Sequence, residues 1–287
     1  MDWRLLWSGY SDGYTNMAVD EALLWAAAET GAPPTLRFYG WRPPAVSLGY
    51  FQEADGEVDR EEIARRGWGL VRRPTGGRAI LHDDEVTYSV VIAEELLEHG
   101  QSVMGSYREI SHGLELGLQQ LGLAAALGET AADPEHRQAA RDLPTVCFAQ
   151  ASRCDLVAAG RKVVGSAQVR KRGVILQHGS VPLTIRVEDQ LAVMPGRGAS
   201  KRSEAQLSQA AQGIAEALGQ PLGFAQLARA LAGGFEEAFG IVLQEGDLTA
   251  AERAKAGQLR EGKYAREEWN LVRPGRAATL NKTGGAG

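Results

Sequence analysis

Cysteine is scarce in this sequence, with two in 287 residues. That is too few for a disulfide framework, and no CxxC pair or Cys/His cluster offers a structural zinc site. Long apolar runs are also missing. The longest nearly apolar stretch, residues 22–28, falls well short of the roughly 20 residues that a membrane-spanning helix needs. Basic charge is not in excess either: 31 Lys and Arg stand against 36 Asp and Glu, a net charge of −5. A general nucleic-acid binder is therefore not expected, and basic character is confined to local patches. The opening Met1-Asp2-Trp3-Arg4 has neither a basic n-region nor an apolar h-region, so a soluble cytoplasmic protein is expected. No repeat and no low-complexity linker interrupts the chain. What is present is ordinary for a folded protein, 44% hydrophobic and 23% charged residues, enough apolar surface to offset the entropy of ordering. Residues 1–278 read as a single domain, and the Gly-rich 279–287 as a disordered tail.

Apolar periodicity places the elements. Residues 3–7 read as a strand. Thr15 or Asn16 is the expected cap of a helix running through Met17, Val19, Leu23 and Trp25 and stopping near Gly31. Strands are expected over 36–39 and 45–51, a short charged helix over 58–66, and short strands over 70–73, 79–82 and 86–92. Val103, Ile110, Leu114, Leu118 and Leu121 give 101–121 one apolar face, an amphipathic helix on a sheet. Residues 128–142 are polar and aperiodic, read as a mobile surface loop of the kind that often serves as a functional lid. Strands resume over 156–157, 162–169 and 174–183, and helical patterns fill 204–219, 221–238 and 248–260. Strands in the middle and helices in the C-terminal third predict an α+β fold over a βαβ parallel sheet.

Three motifs carry candidate chemistry. Arg72-Arg73-Pro74-Thr75-Gly76-Gly77-Arg78-Ala79-Ile80-Leu81-His82-Asp83 fits a β-hairpin with a Pro/Gly turn. It equally fits a cradle in which adjacent glycines let a ligand approach the backbone between Arg73 and Arg78. It is not a Walker loop, for it lacks the GK[ST] end. Cys147 fits a small buried hydrophobe, or an exposed nucleophile whose thiolate is favoured by the ammonium of Lys162, in Arg161-Lys162-Val163-Val164-Gly165-Ser166. Its rival Cys154 precedes the strand-like Asp155-Leu156-Val157 and reads as inert. In Gln177-His178-Gly179-Ser180 the histidine is either a satisfied strand residue or part of a site. Together Gly76-Gly77, Gly165 and Gly179 mark three segments that can line one groove. His99, His112 and His136 lack a carboxylate or thiol at ligand spacing, so no metal is expected.

These residues resemble the lipoate–protein ligase/octanoyltransferase superfamily, whose catalytic fold is shared with biotin–protein ligases. The likeness runs through Asn16-Met17-Ala18-Val19-Asp20-Glu21, residues 36–41 and 45–52, the Arg-Arg-Pro-Thr-Gly-Gly block, residues 160–168 and Gln177-His178-Gly179. It ends at Lys263-Tyr264 with Glu268-Trp269-Asn270. Arg78 stands where the ATP-dependent ligases usually carry a third glycine, and too few residues follow for their accessory domain. Cys147-Phe148 with Ser152 resembles the LipM-type octanoyltransferases, whose nucleophilic cysteine sits there. The LipB-type enzymes place theirs just before the His-Gly pair, where this chain has Val174-Ile175-Leu176-Gln177. Cys154 departs from the pattern and puts a second thiol near the site.

The resemblance implies an α+β fold with a central, largely antiparallel sheet flanked by helices. It implies transfer of an octanoyl group from acyl carrier protein to a lysine of a lipoyl domain, in the first place the glycine-cleavage H protein, through a Cys147 thioester. Lys162 would hold the thiolate and then each oxyanion. Arg73, Gly76, Gly77, Arg78, His82, Gly165, Ser166, Gln177, His178 and Gly179 would contact substrate. A thioester donor is already activated and amide formation is downhill, so no ATP or other cofactor is expected. A monomer without nucleic-acid or membrane partners is expected. The acceptor lysine, of pKa about 10.4 in water, must lose a proton, and His82 is the candidate base. Ile80 and Val164 are expected to wall a closed acyl tunnel, and Arg170-Lys171-Arg172 to dock the acidic carrier. The alternatives are an ATP-dependent lipoate–protein ligase, an octanoyl amidotransferase between lipoyl domains, and a non-catalytic module that binds lipoyl domains.

Overall fold

The structure, a computed structural model, describes residues 2–128, 155–195, 204–272 and 274. β1 (Trp3–Ser11) leads into α1 (Gly13–Thr30) and returns as the parallel strand β2 (Thr35–Trp41). The cap of α1 is Asp12, not Thr15 or Asn16: its carboxylate accepts the Thr15 N–H at 2.7 Å. Asn16 is instead fully buried, and its amide donates to the carbonyls of Ser11 and Gly40, pinning the helix to both strands. Gly31 ends the helix at φ 67° as expected.

A small sheet follows. β3 (Ala45–Leu48) lies between β4 (Gly69–Arg72), parallel to it, and β5 (Ile80–His82), antiparallel. The short helix α2 (Arg60–Arg65) connects β3 to β4. The hairpin reading of the Arg-Arg-Pro-Thr-Gly-Gly block is therefore wrong: β4 and β5 never pair, and the loop between them crosses the end of β3. That strand is shorter than expected because Gly49 and Tyr50 leave the ladder for other partners. The Tyr50 N–H donates to the Thr75 carbonyl, and the Arg72 guanidinium takes the carbonyls of Gly49, Tyr50 and Gln52 at 2.7, 3.2 and 2.6 Å.

The large sheet is completed by β6 (Glu85–Ala93), β7 (Ala126–Leu127), β8 (Leu156–Ala158), β9 (Arg161–Lys171), β10 (Val174–Pro182) and β11 (Leu243–Glu245), in the order β11-β1-β2-β6-β10-β9-β8-β7. From β2 onward every ladder is antiparallel, and only β11–β1 and β1–β2 are parallel. This is the α+β, largely antiparallel sheet expected, with one βαβ unit at its edge.

Period-two alternation divides the sheet between two cores. Phe38, Tyr88, Val90 and Ile175 face α3 (Val103–Gln120) and α7 (Phe224–Phe239), whose Ile110, Leu114, Leu227 and Phe235 are fully buried. These two helices pack backbone to backbone: a Cβ on Gly234 would lie 2.2 Å from the Gly113 carbonyl oxygen. Leu6, Val91 and Leu176 face α1 and α8 (Ala250–Leu259) on the other side. Val164 belongs to the α3/α7 core, so it cannot wall a tunnel on the opposite face as expected.

α4 (Val187–Val193) packs with the small sheet. The helical pattern 204–219 splits into α5 (Glu204–Ala210) and α6 (Ile214–Leu218). The break has a cause: Gln212 donates its N–H to the Lys162 carbonyl and its side-chain amide to the Ala158 carbonyl. A side chain at Gly213 would lie 2.4 Å from the Leu183 carbonyl oxygen. α9 (Glu267–Leu271) closes the described chain. Cys147, Cys154, the tail 279–287 and nearly all of the polar segment 128–142 lie outside the described residues.

The basic turn Arg170-Lys171-Arg172 is not an unbalanced patch. Arg170 turns inward onto the Ser102 carbonyl, Ser106 and Glu94, while Lys171 pairs with Glu21 and Arg172 with Glu29. Neutralised locally, it has little field left for an acidic carrier.

Candidate active site

Six strands and α1 converge on a pocket of about 450 Å³, its mouth included. Tyr39 and Trp41 on β2, Ser47 on β3, His82 on β5, Thr87 on β6, Lys162 on β9 and His178 on β10 all line it, as does Arg73. The mixture of aromatic walls with a few polar groups is that of a small-molecule site.

Lys162 sits at 1% exposure with its ammonium 2.9 Å from Asp155, itself 3% exposed. A buried ammonium persists only with such a partner. His178 alternates on β10 with Leu176 and so faces α1, where its Nδ1 lies 2.9 Å from Asp20 and its Nε2 2.7 Å from the Thr75 hydroxyl. Asp20 also receives Arg37 at 2.7 Å and the Tyr39 hydroxyl at 2.9 Å. Burial pushes the Asp20 carboxyl up, but Arg37, His178 and Tyr39 together hold it below the ordinary range. Burial outweighs Asp20 at His178 and holds that imidazole below its ordinary value. The ion pair is thus Asp20 with Arg37, and the neutral His178 donates Nδ1–H to the carboxylate. Burial also drives the Tyr39 phenol well above its ordinary range, keeping it a donor.

His82 makes a second, similar set of contacts. Its Nε2 is 2.8 Å from the Ser47 hydroxyl and its Nδ1 2.8 Å from Glu85. Glu85 also accepts the hydroxyls of Thr87 and Ser180, the latter at 2.5 Å.

The Gly-rich loop is held from below. Arg73 donates to the carbonyls of Gly76, Arg78 and Ser47 at 2.7, 2.8 and 3.1 Å. Its guanidinium thus shapes the loop from inside. Gly77 takes φ 93°, a conformation suited to glycine, and a Cβ on Gly49 would meet the Gly77 carbonyl oxygen at 1.8 Å. Arg72 joins this loop to the C-terminal segment: its side chain donates to the carbonyls of Trp269 and Asn270, each at 3.0 Å, while Asn270 accepts its N–H at 2.8 Å.

Of the residues singled out in the sequence, Arg73, His82, Lys162, Gly165, Ser166, His178 and Gly179 line the pocket together with Ile80. A Cβ on Gly179 would lie 2.5 Å from the Gly165 carbonyl oxygen and 2.7 Å from the Tyr88 ring, so these glycines do mark a close backbone approach. Gly76, Gly77, Arg78 and Gln177 do not line it. Gln177 faces α3, bonded to the Tyr88 hydroxyl at 2.9 Å and to Gln168 at 3.0 Å. Asp20, Ser47, Glu85 and Asp155 were missed. Asp20 left a trace, a carboxylate on the buried side of a helix among Met17, Ala18, Val19, Ala22 and Leu23, all buried. Among the described residues no group of His, Cys, Asp and Glu could hold a metal ion, and no helix is long and apolar enough to cross a membrane.

The arrangement supplies a buried cation, imidazoles held by carboxylates, and a semi-enclosed pocket, the equipment of acyl transfer. Comparison with known proteins gives the family. The lipoyl protein ligase A/B catalytic domain matches residues 12–236. The protein of Symbiobacterium thermophilum called octanoyltransferase LipM is 49% identical over 273 residues, spanning 94% of this chain and 98% of that protein. The protein of the same name from Bacillus subtilis is 40% identical, again over 94% of this chain and 98% of its own length. Among solved structures, lipoate-protein ligase A bound with ATP superposes with a TM-score of 0.79 at 26% identity, covering 95% of this chain and 100% of that one. The putative lipoate protein ligase Ta0514 of T. acidophilum with bound lipoic acid gives 0.75 at 26%, over 94% and 99%.

Proposed function

The chain belongs to the lipoyl protein ligase A/B catalytic domain family and is an octanoyltransferase of protein lipoylation, and we propose that it moves octanoyl from acyl carrier protein to a lipoyl-domain lysine through a thioester on Cys147. The observation that carries this is the 40–49% identity to octanoyltransferases over 94% of the chain. The glycine-cleavage H protein is the first acceptor to try, and the enzyme acts as a monomer in the cytoplasm.

In this reading the pocket takes the acyl chain and Cys147 attacks the thioester carbonyl, releasing the carrier's thiol. The Lys162 ammonium, fixed by Asp155 at 2.9 Å, holds the thiolate and then each tetrahedral oxyanion. The lipoyl-domain lysine displaces Cys147 to give the amide. A thioester passes to another thioester and then to an amide, each step level or downhill, so ATP is not needed.

Intact mass after incubation with octanoyl carrier protein, without ATP, tests the reading. An octanoyl adduct on the wild type and on Cys154→Ala, absent from Cys147→Ala, is expected. The reverse pattern moves the nucleophile to Cys154. The solved ligase with ATP favours a second reading, ATP-dependent lipoate ligation. That reading predicts no adduct without nucleotide and lipoylated product only when ATP, Mg²⁺ and lipoate are all supplied.

A further inference from the structure

We propose that Ser47, His82 and Glu85 form a proton relay that deprotonates the amine attacking an acyl thioester in the pocket. The proposal rests on the acyl-transfer reading above and supplies the base that reading requires. The distances are Ser47 Oγ to His82 Nε2, 2.8 Å, and His82 Nδ1 to Glu85 Oε1, 2.8 Å.

Counting donors sets the direction of the relay. Glu85 accepts from the hydroxyls of Thr87 and Ser180 as well as from His82, the pattern of an ionised carboxylate. The His82 proton therefore sits on Nδ1, and Nε2 is an acceptor. Arg73 donates to Ser47 Oγ at 3.0 Å, so the hydroxyl turns its own hydrogen toward Nε2. Protonating Nε2 makes an imidazolium flanked by the Glu85 carboxylate and stacked on Trp41, with ring centroids 4.0 Å apart and planes within 9°. The other charged or titratable groups lining the pocket are Tyr39, Arg73, Lys162 and His178.

Thr75, His178 and Asp20 have the same composition but a different place. Thr75 and Ser47 are both fully buried, but the Thr75 hydroxyl does not line the pocket, so that set holds the loop. Ser47 and His82 both line the pocket. Ser47 lies within β3 with a guanidinium on its oxygen, which makes the hydroxyl a better donor to His82 and a poorer nucleophile.

The step balances as follows. At pH 7 roughly one lysine in 2,500 is unprotonated in water. One ammonium proton passes to Ser47 Oγ as the Ser47 proton passes to His82 Nε2. The amine nitrogen then bonds to the acyl carbon and the carbon–sulfur bond breaks, its electron pair staying on sulfur. The second nitrogen proton goes to that sulfur, and the imidazolium returns its proton to water.

The test compares two acceptors with one octanoyl thioester donor: a lipoyl-domain lysine, and hydroxylamine, which is already unprotonated at pH 7. Their rate ratio cancels every step they share, including any loss of folded enzyme. In His82→Gln the lysine-to-hydroxylamine ratio is expected to fall by about 10²–10⁴, the usual contribution of a general base, and to recover as the pH approaches 10. Glu85→Gln and Ser47→Ala are expected to lower the same ratio less. An unchanged ratio in His82→Gln overturns the relay and leaves His82 a positioning residue. An oxyester trapped on Ser47 overturns it in favour of a nucleophile. Wild-type enzyme that transfers to neither acceptor rejects the transferase reading itself.

Discussion

Lys162→Met separates what the ammonium does for the reaction from what it does for the fold. Methionine keeps the unbranched stem and removes the charge. Asp155, 3% exposed, then keeps its carboxylate without the ammonium at 2.9 Å. Breaking a buried pair from one side costs about 3–5 kcal/mol, which at roughly 2–4 °C per kcal/mol lowers Tm by about 6–20 °C. The chemical loss is independent. Removing one oxyanion-stabilising group costs about 10²–10³ in rate, read as carrier-thiol release at a temperature where the variant is folded. The double variant Lys162→Met/Asp155→Asn removes the carboxylate's charge as well while keeping an oxygen for the Ser166 N–H, which now donates to Asp155 at 3.4 Å. It is expected to regain most of the lost Tm and none of the lost rate. A double variant that regains the rate makes Lys162 a structural ion-pair partner only. A single variant within about threefold of wild type, set against the range expected for an oxyanion group, also refutes the assignment.

Asp20→Asn is expected to cost about 3–5 kcal/mol, since it leaves the Arg37 guanidinium buried without its counter-charge. The pH dependence carries a sign. The folded pKa of His178 lies below its unfolded value, so its stability is present above about pH 6.5 and is lost as pH falls toward the folded value. The Asp20 contribution, from a folded pKa likewise depressed, is present above about pH 3.9 and is lost below it. Melting curves from pH 8 to pH 3 in wild type and Asp20→Asn check both, and a variant with an unchanged low-pH limb removes the Asp20 term. Asn270→Ala deprives the Arg72 N–H and the Tyr264 carbonyl of partners at 2.8 Å each. It is expected to cost about 1–3 kcal/mol and to speed amide exchange at residues 49–52 and 72–77, and uniform exchange changes would disprove the link between the C-terminal segment and the loop.

Local pattern carried the fold where a residue's neighbours in sequence are also its neighbours in space. The apolar stripe Ile110, Leu114, Leu118 marks the buried face of α3, and Gly31 ends α1 because the turn there requires φ 67°. It failed where a distant partner took over. The Arg72–Asp83 block has every feature of a hairpin, yet β4 and β5 are separated by β3, which precedes both in the chain. The 204–219 pattern is helical throughout, yet its middle is spent on the Lys162 and Ala158 carbonyls. Gln177 beside His178 looked like one motif, but successive strand residues face opposite sides of a sheet, and the two side chains serve different cores.

The same reasoning explains which half of the site was readable. Groups that announce chemistry by type, such as Lys162, His82, His178 and the paired glycines, stand out in any sequence. The groups that give them a protonation state do not, because each lies on another element. Asp20 reaches His178 from α1 and Glu85 reaches His82 from β6, and Asp155 reaches Lys162 from just before β8. A buried charged or imidazole side chain without a partner costs several kcal/mol, so Lys162, His82 and His178, once folded into the interior, each imply an unread group beside them. The two hydroxyl–imidazole–carboxylate sets show how far that inference goes. Their compositions are alike, and burial requires each to be complete. Both hydroxyls are fully buried, and only the three-dimensional position, Ser47 lining the pocket and Thr75 not, separates a set that can pass a proton to or from a substrate from one that fixes a loop.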